Sequence, residues 1–101
     1  SRELKVLSIA KNERSKRDPI WLCQVFRGGK DTGRTTKIHQ SRFKPGSTGY
    51  RLKSEALLNE PVAEADPFKD VDNGVVVVPV SAMQPQAGFP TEPTVDVVTE
   101  K

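Results

Sequence analysis

The residues with chemistry to offer are cations interleaved with aromatic rings, and they crowd into the first half of the chain. Arg14, Lys16 and Arg17 come first, then Arg27, Lys30, Arg34 and Lys37, then Arg42, Lys44, Arg51 and Lys53. Trp21, Phe26, Phe43 and Tyr50 fall among them. Ammonium and guanidinium groups neutralise phosphates, and flat rings stack on unpaired bases, so this pairing is what a single-stranded nucleic acid requires. Trp21 and Phe26 lie on opposite faces of one strand, so one is expected in the core and the other at the ligand. Phe43 and Tyr50, in polar and basic surroundings, are the better stacking candidates. The candidate nucleic-acid contacts are Arg14, Lys16, Arg17, Trp21, Arg27, Lys30, Arg34, Lys37, Arg42, Phe43, Lys44, Tyr50 and Arg51.

Other constellations fall short of a reaction. Gly28–Thr35 reads GGKDTGRT, which matches a P-loop except that Arg34 stands where the lysine belongs. A P-loop also needs a helix whose N-terminus faces the phosphates, and here Thr35-Thr36-Lys37-Ile38-His39 reads as strand. A basic glycine hairpin could still offer backbone N–H groups to phosphates. Cys23 and His39 are the single cysteine and single histidine, too few for a four-ligand zinc site. Cys23, in an apolar strand, reads as a buried small hydrophobe. Glu60, Glu64, Asp66, Asp70 and Asp72 do not follow the spacing of a calcium loop. No catalytic residue, metal or cofactor is expected, and the chain is read as non-enzymatic.

The charge is sharply divided. Residues 1–53 carry fourteen of the sixteen Lys/Arg against four acids, a net +10; residues 54–101 carry two cations against nine acids, a net −7. The overall +3 conceals this split, which points to a polyanion partner. The 101 residues, 35% hydrophobic, allow one small core of marginal stability, which a homodimer would reinforce. A single cysteine, no apolar leader at the start and no apolar run long enough to span a membrane favour a reducing, cytoplasmic setting.

The elements that must position these groups are mostly strands. Residues 3–10 read as a strand whose adjacent Val6 and Leu7 imply a bulge or burial on both faces. Residues 20–27 are the clearest strand, 28–33 a glycine-rich turn, 34–40 the returning strand, and 41–49 a loop or ribbon tip. Tyr50–Lys53 is a short strand. Ser54 caps one or two helical turns that end at Pro61. Asp72-Asn73-Gly74 is a tight turn into a strand at 75–80, where Pro79 marks an edge or an end. Residues 1–80 thus form the basic domain, and 81–101 an acidic, proline-containing mobile tail able to contact a protein partner. The expected architecture is all-β, or β-rich with one short helix: a small five-stranded OB-like barrel.

Several segments look like parts of one known family. They are Lys5–Ala10, the basic loop before Ile20–Phe26, Pro45-Gly46 with Tyr50-Arg51-Leu52 followed by Ser54-Glu55-Ala56-Leu57, and Val75–Val80 before Met83-Gln84-Pro85. Over roughly residues 3–85 the order of these features resembles the single-stranded DNA-binding proteins of filamentous phages, the gene V protein class. The resemblance implies an OB-like dimer acting in phage or plasmid DNA replication. It also implies cooperative, sequence-tolerant binding through Arg14, Lys16, Arg17, Lys37, Phe43 and Tyr50. The alternative reading is a small interaction module or inhibitor docking an acidic protein surface. A binder of duplex DNA or structured RNA is a third.

Overall fold

The computed structural model describes residues 2–14, 17–45, 49–59, 61, 66–68, 74–84, 89 and 94–97. Seven strands occur among them: β1 (Arg2–Asn12), β2 (Ile20–Arg27), β3 (Lys30–His39), β4 (Phe43–Pro45), β5 (Tyr50–Leu52), β6 (Val75–Pro79) and β7 (Thr94–Val97). Short 3-10 turns at Gln40–Arg42, Glu55–Asn59 and Val80–Ala82 punctuate them. Among the described residues no helix is long and apolar enough to cross a membrane.

β1 organises the main sheet. One edge of it pairs antiparallel with β2; its other edge is shared, β6 taking Ser8–Asn12 and β7 taking Arg2–Lys5. The sheet runs β3-β2-β1-β6, with β7 beside β1. A register shift between Val6 and Ser8 makes Leu7 the extra residue of a bulge. That shift lets Leu4, Val6 and Ile9 all face the core despite their uneven spacing. They meet Val25, Cys23 and Trp21 of β2 in register.

Two glycines explain the β2–β3 hairpin. Gly28 and Gly29 have φ of 58° and 79°, the doubly left-handed backbone of a type I′ turn, whose twist matches that of the strands. The turn is therefore only two residues long, and β3 begins at Lys30 rather than at Arg34. Within β3 the register slips between Asp31 and Thr35, leaving Thr32, Gly33 and Arg34 as a bulge opposite Val25. Gly33, at φ 75°, supplies its kink.

β4 and β5 form a separate two-stranded ribbon, Phe43 opposite Leu52 and Pro45 opposite Tyr50. The ribbon lies on the core face of the main sheet. The core holds Leu4, Val6, Ile9, Trp21, Cys23, Val25, Ile38, Phe43, Leu52, Leu58 and Val80. Removing a ring such as Trp21 from water takes away roughly 150–250 Å² and contributes about 4–6 kcal/mol before entropy is subtracted.

The five-stranded OB-like barrel is not what forms. Closure requires tilted strands whose first and last members pair. Here β6 and β7 both bind β1, β3 bonds within the sheet to β2, and β4 and β5 bond to each other. The result is an all-β, two-sheet domain, open rather than closed. The expected short helix is a 3-10 turn, started by Ser54, whose Oγ accepts from Ala56 N at 3.3 Å. Asp72 and Asn73 of the expected tight turn lie outside the described residues; Gly74, at φ 89°, precedes β6. Of the segment read as a mobile tail, much also lies outside them. Its described parts lie on the domain: β7 pairs with β1, and Met83 and Phe89 pack against the core.

Candidate functional site

The ribbon concentrates the charge. Strand alternation turns Phe43 and Leu52 inward, so Lys44 and Arg51, which are register partners, share the outward face. The ladder continues at its base, where Lys53 N donates to the Arg42 carbonyl at 3.0 Å, and both of these side chains are exposed. Four cations thus occupy two rungs, one on either side of the inward-facing Phe43–Leu52 rung, of a ribbon whose other side is core. Like charges placed directly opposite each other on a sheet repel.

The turn leading into the ribbon is fastened from two sides. Asp18 accepts from Ser41 N through both carboxylate oxygens, at 3.2 and 3.0 Å, and lies 3.8 Å from His39 Nδ1. Gln40 N donates to the Pro19 carbonyl at 2.7 Å, and Gln40 Oε1 accepts from Trp21 Nε1 at 3.2 Å. Arg42 and β4 are held in place by these bonds to the segment before β2.

The aromatic candidates are corrected by burial. Trp21 is 0% exposed and Phe43 7%. Their rings stack on each other at 4.4 Å and 19°, so each occupies a face that a base would need. The half-buried Tyr50 meets Trp21 edge to face at 5.3 Å. Trp21 is therefore the core member of its pair with Phe26. Phe26 stands on the opposite sheet face, between Glu3 and Asp31 in the register, and two carboxylates there repel phosphate.

The remaining cations divide by location. Arg27 and Lys30 flank the exposed hairpin tip. Arg34 donates to Asn59 Oδ1, and Lys37 is paired with Asp66. Thr36 donates to the Leu58 carbonyl at 2.8 Å, so Leu58 and Asp66 sit on opposite sides of the β3 edge. Arg14 is exposed beyond β1, its stem lying over Gly74, where an added Cβ would come within 3.0 Å of it. Arg17 is exposed, and Lys16 lies outside the described residues. The structure brings Arg42, Lys44 and Arg51 together and leaves Arg14, Arg34 and Lys37 elsewhere. Lys53 belongs to the cluster and was not among the candidate contacts. The twin pattern Arg42-Phe43-Lys44 and Arg51-Leu52-Lys53 carried the signal, once both are seen as strands.

The GGKDTGRT run forms a turn and a bulge with no helix behind them, and Gly33 N donates to Asp31 Oδ1 at 2.8 Å, an amide a phosphate would otherwise take. Burial pushes the Cys23 thiol up to about 12, so it stays protonated, its sulfur 3.8 Å from the Trp21 carbonyl. Among the described residues no three or more His, Cys, Asp or Glu gather where they could hold a metal. The chain matches no family model, no curated protein and no solved structure.

Proposed function

We propose that this protein is a non-enzymatic binder of single-stranded nucleic acid, tolerant of sequence, which holds the phosphate backbone along the outward face of the β4–β5 ribbon. The observation that carries the reading is the register pair Lys44 and Arg51, extended by Arg42 and Lys53. A polyanion relieves the mutual repulsion of these four groups and releases its own counterions as it docks. Phosphate contacts carry no base information, which gives sequence tolerance. With Trp21 and Phe43 buried, stacking falls to the accessible part of Tyr50, which alternation places on the core side of the ribbon against Trp21, so a base reaches it around the ribbon's edge while the phosphates stay with Arg51 on the outward face. An unpaired base has a free face for that ring, and a duplex has none along its length. Affinity on this reading is chiefly electrostatic.

The test is fluorescence anisotropy of a labelled oligo-dT of about 16 nucleotides, a length at the upper end of small-domain site sizes, titrated across a salt series. The four ribbon contacts alone contribute roughly −3 to the slope of log K against log salt, at about −0.7 per contact. Absence of binding, or binding indifferent to salt, overturns the proposal. An unlabelled duplex that competes better than the single strand removes the single-strand part of it.

A further inference from the structure

A second cationic feature lies away from the ribbon. Arg2 is the register partner of Arg27, and Arg27 of Lys30, so three cations stand in one row across β1, β2 and β3. Residues directly opposite in a sheet share a face, and alternation from Leu4 and Val25 assigns the row to the core side, the side on which the ribbon packs. The neighbouring row, Glu3, Phe26 and Asp31, points to the other side. Charge is thus sorted by face at this end of the sheet, cations toward the ribbon's side and acids away from it.

The row and the Trp21–Phe43 stack lie at different points along β2. Six residues of β2 separate Arg27 from Trp21, on which Phe43 stacks. At about 3.3 Å per residue this places Arg27 roughly 20 Å along the sheet from the Trp21–Phe43 stack. β5 lies against β7, and β7 borders Arg2, so the ribbon lies toward this row.

We infer that Arg2, Arg27 and Lys30 form a second phosphate-binding point on the same strand of nucleic acid, which reaches from the ribbon to the hairpin tip. This rests on the reading that the ribbon binds nucleic acid. It adds a requirement for length: a short oligonucleotide fills the ribbon alone, and a longer one reaches both points.

The experiment compares oligo-dT of about 4 and about 16 nucleotides on the wild-type chain, on the double variant R27E/K30E and on R51E, by anisotropy across a salt series. Arg27 and Lys30 are exposed, and the turn between them is made by Gly28 and Gly29, so the double variant keeps the fold; its thermal melt checks this. For R27E/K30E, the salt slope on the long oligonucleotide falls by roughly 1.4, two contacts at 0.7 each, and binding of the short one is unchanged. R51E weakens both lengths. A double variant that keeps the full slope, while R51E loses it, overturns the second point and leaves the ribbon standing. Equal weakening of both lengths by R27E/K30E also overturns it, because the tip then acts as a diffuse field. Failure of the wild-type chain to bind either length removes the ribbon reading as well.

Discussion

Cys23 shows how the interior sets the behaviour of one residue. It lies between Val6 on one strand and Thr36 on another, is 0% exposed, and its thiol is pushed up to about 12 by burial. The thiolate is the reactive form. An alkylating reagent is therefore expected to label the native protein only as fast as it unfolds, and the urea-unfolded chain rapidly. Equal labelling of the two forms contradicts this. The same shift has a thermodynamic sign. A thiol whose folded value lies above its ordinary 9.0 binds its proton more tightly when folded. Its contribution to stability is complete below pH 9 and is lost as pH rises from there toward 12. Urea midpoints of wild type and Cys23→Ala measured from pH 9 upward are expected to converge. Parallel curves rule the effect out. Trp21 is a parallel case of environment deciding role: one strand offers two apolar faces, and the face carrying Trp21 is the one that Phe43 and the rest of the core cover.

At the scale of elements, the ribbon sets stability against binding. Arg51→Glu places a carboxylate opposite Lys44 and turns a repulsive rung into an attractive one. The variant is expected to gain about 0.2–1 kcal/mol in stability while its affinity for oligo-dT falls and its salt slope shallows. Denaturant unfolding and anisotropy on one preparation read both. A loss of stability together with unchanged affinity refutes the account. Sequence alone made β2 legible because Val, Ile, Trp and Phe suit a pleated strand, and the adjacent Val6 and Leu7 announced the bulge of β1. It did not make β4 legible. Three residues ending in proline carry almost no periodicity, and their partner lies several residues away. The cationic face exists only once that pairing does, so the cations were visible as a list and the site was not. The turn is two residues long, shorter than three neighbouring glycines suggest, because Gly33 bends a bulge inside β3 and takes no part in the turn made by Gly28 and Gly29.

At the scale of the whole molecule, the open sheet depends on what covers the second edge of β1. Barrel closure was a reasonable expectation from strand number, but which edges pair is a long-range matter that local patterns do not encode. Here β6 and β7 divide that edge on either side of Leu7, and β7 comes from the proline-rich acidic half. The partners of Arg2–Lys5 therefore lie some ninety residues away in sequence, a separation that costs chain entropy before any pairing repays it. A domain of this size keeps little stability in reserve. Removing residues 94–101 strips the ladder from β1 at Leu4, a fully buried core residue, and takes away the neighbour of β5. The shortened chain is expected to lose roughly 2 kcal/mol or more, the scale of an opened core site. The Arg2–Lys5 amides should lose more hydrogen-exchange protection than those of Ser8–Asn12, which remain paired with β6. Because the deletion also removes two acids and one lysine, a net loss of one negative charge, a gain in oligonucleotide affinity without any loss of protection would show these residues acting through charge alone. Loss of protection confined to the Arg2–Lys5 half would show that the last strand is part of the fold that carries the ribbon.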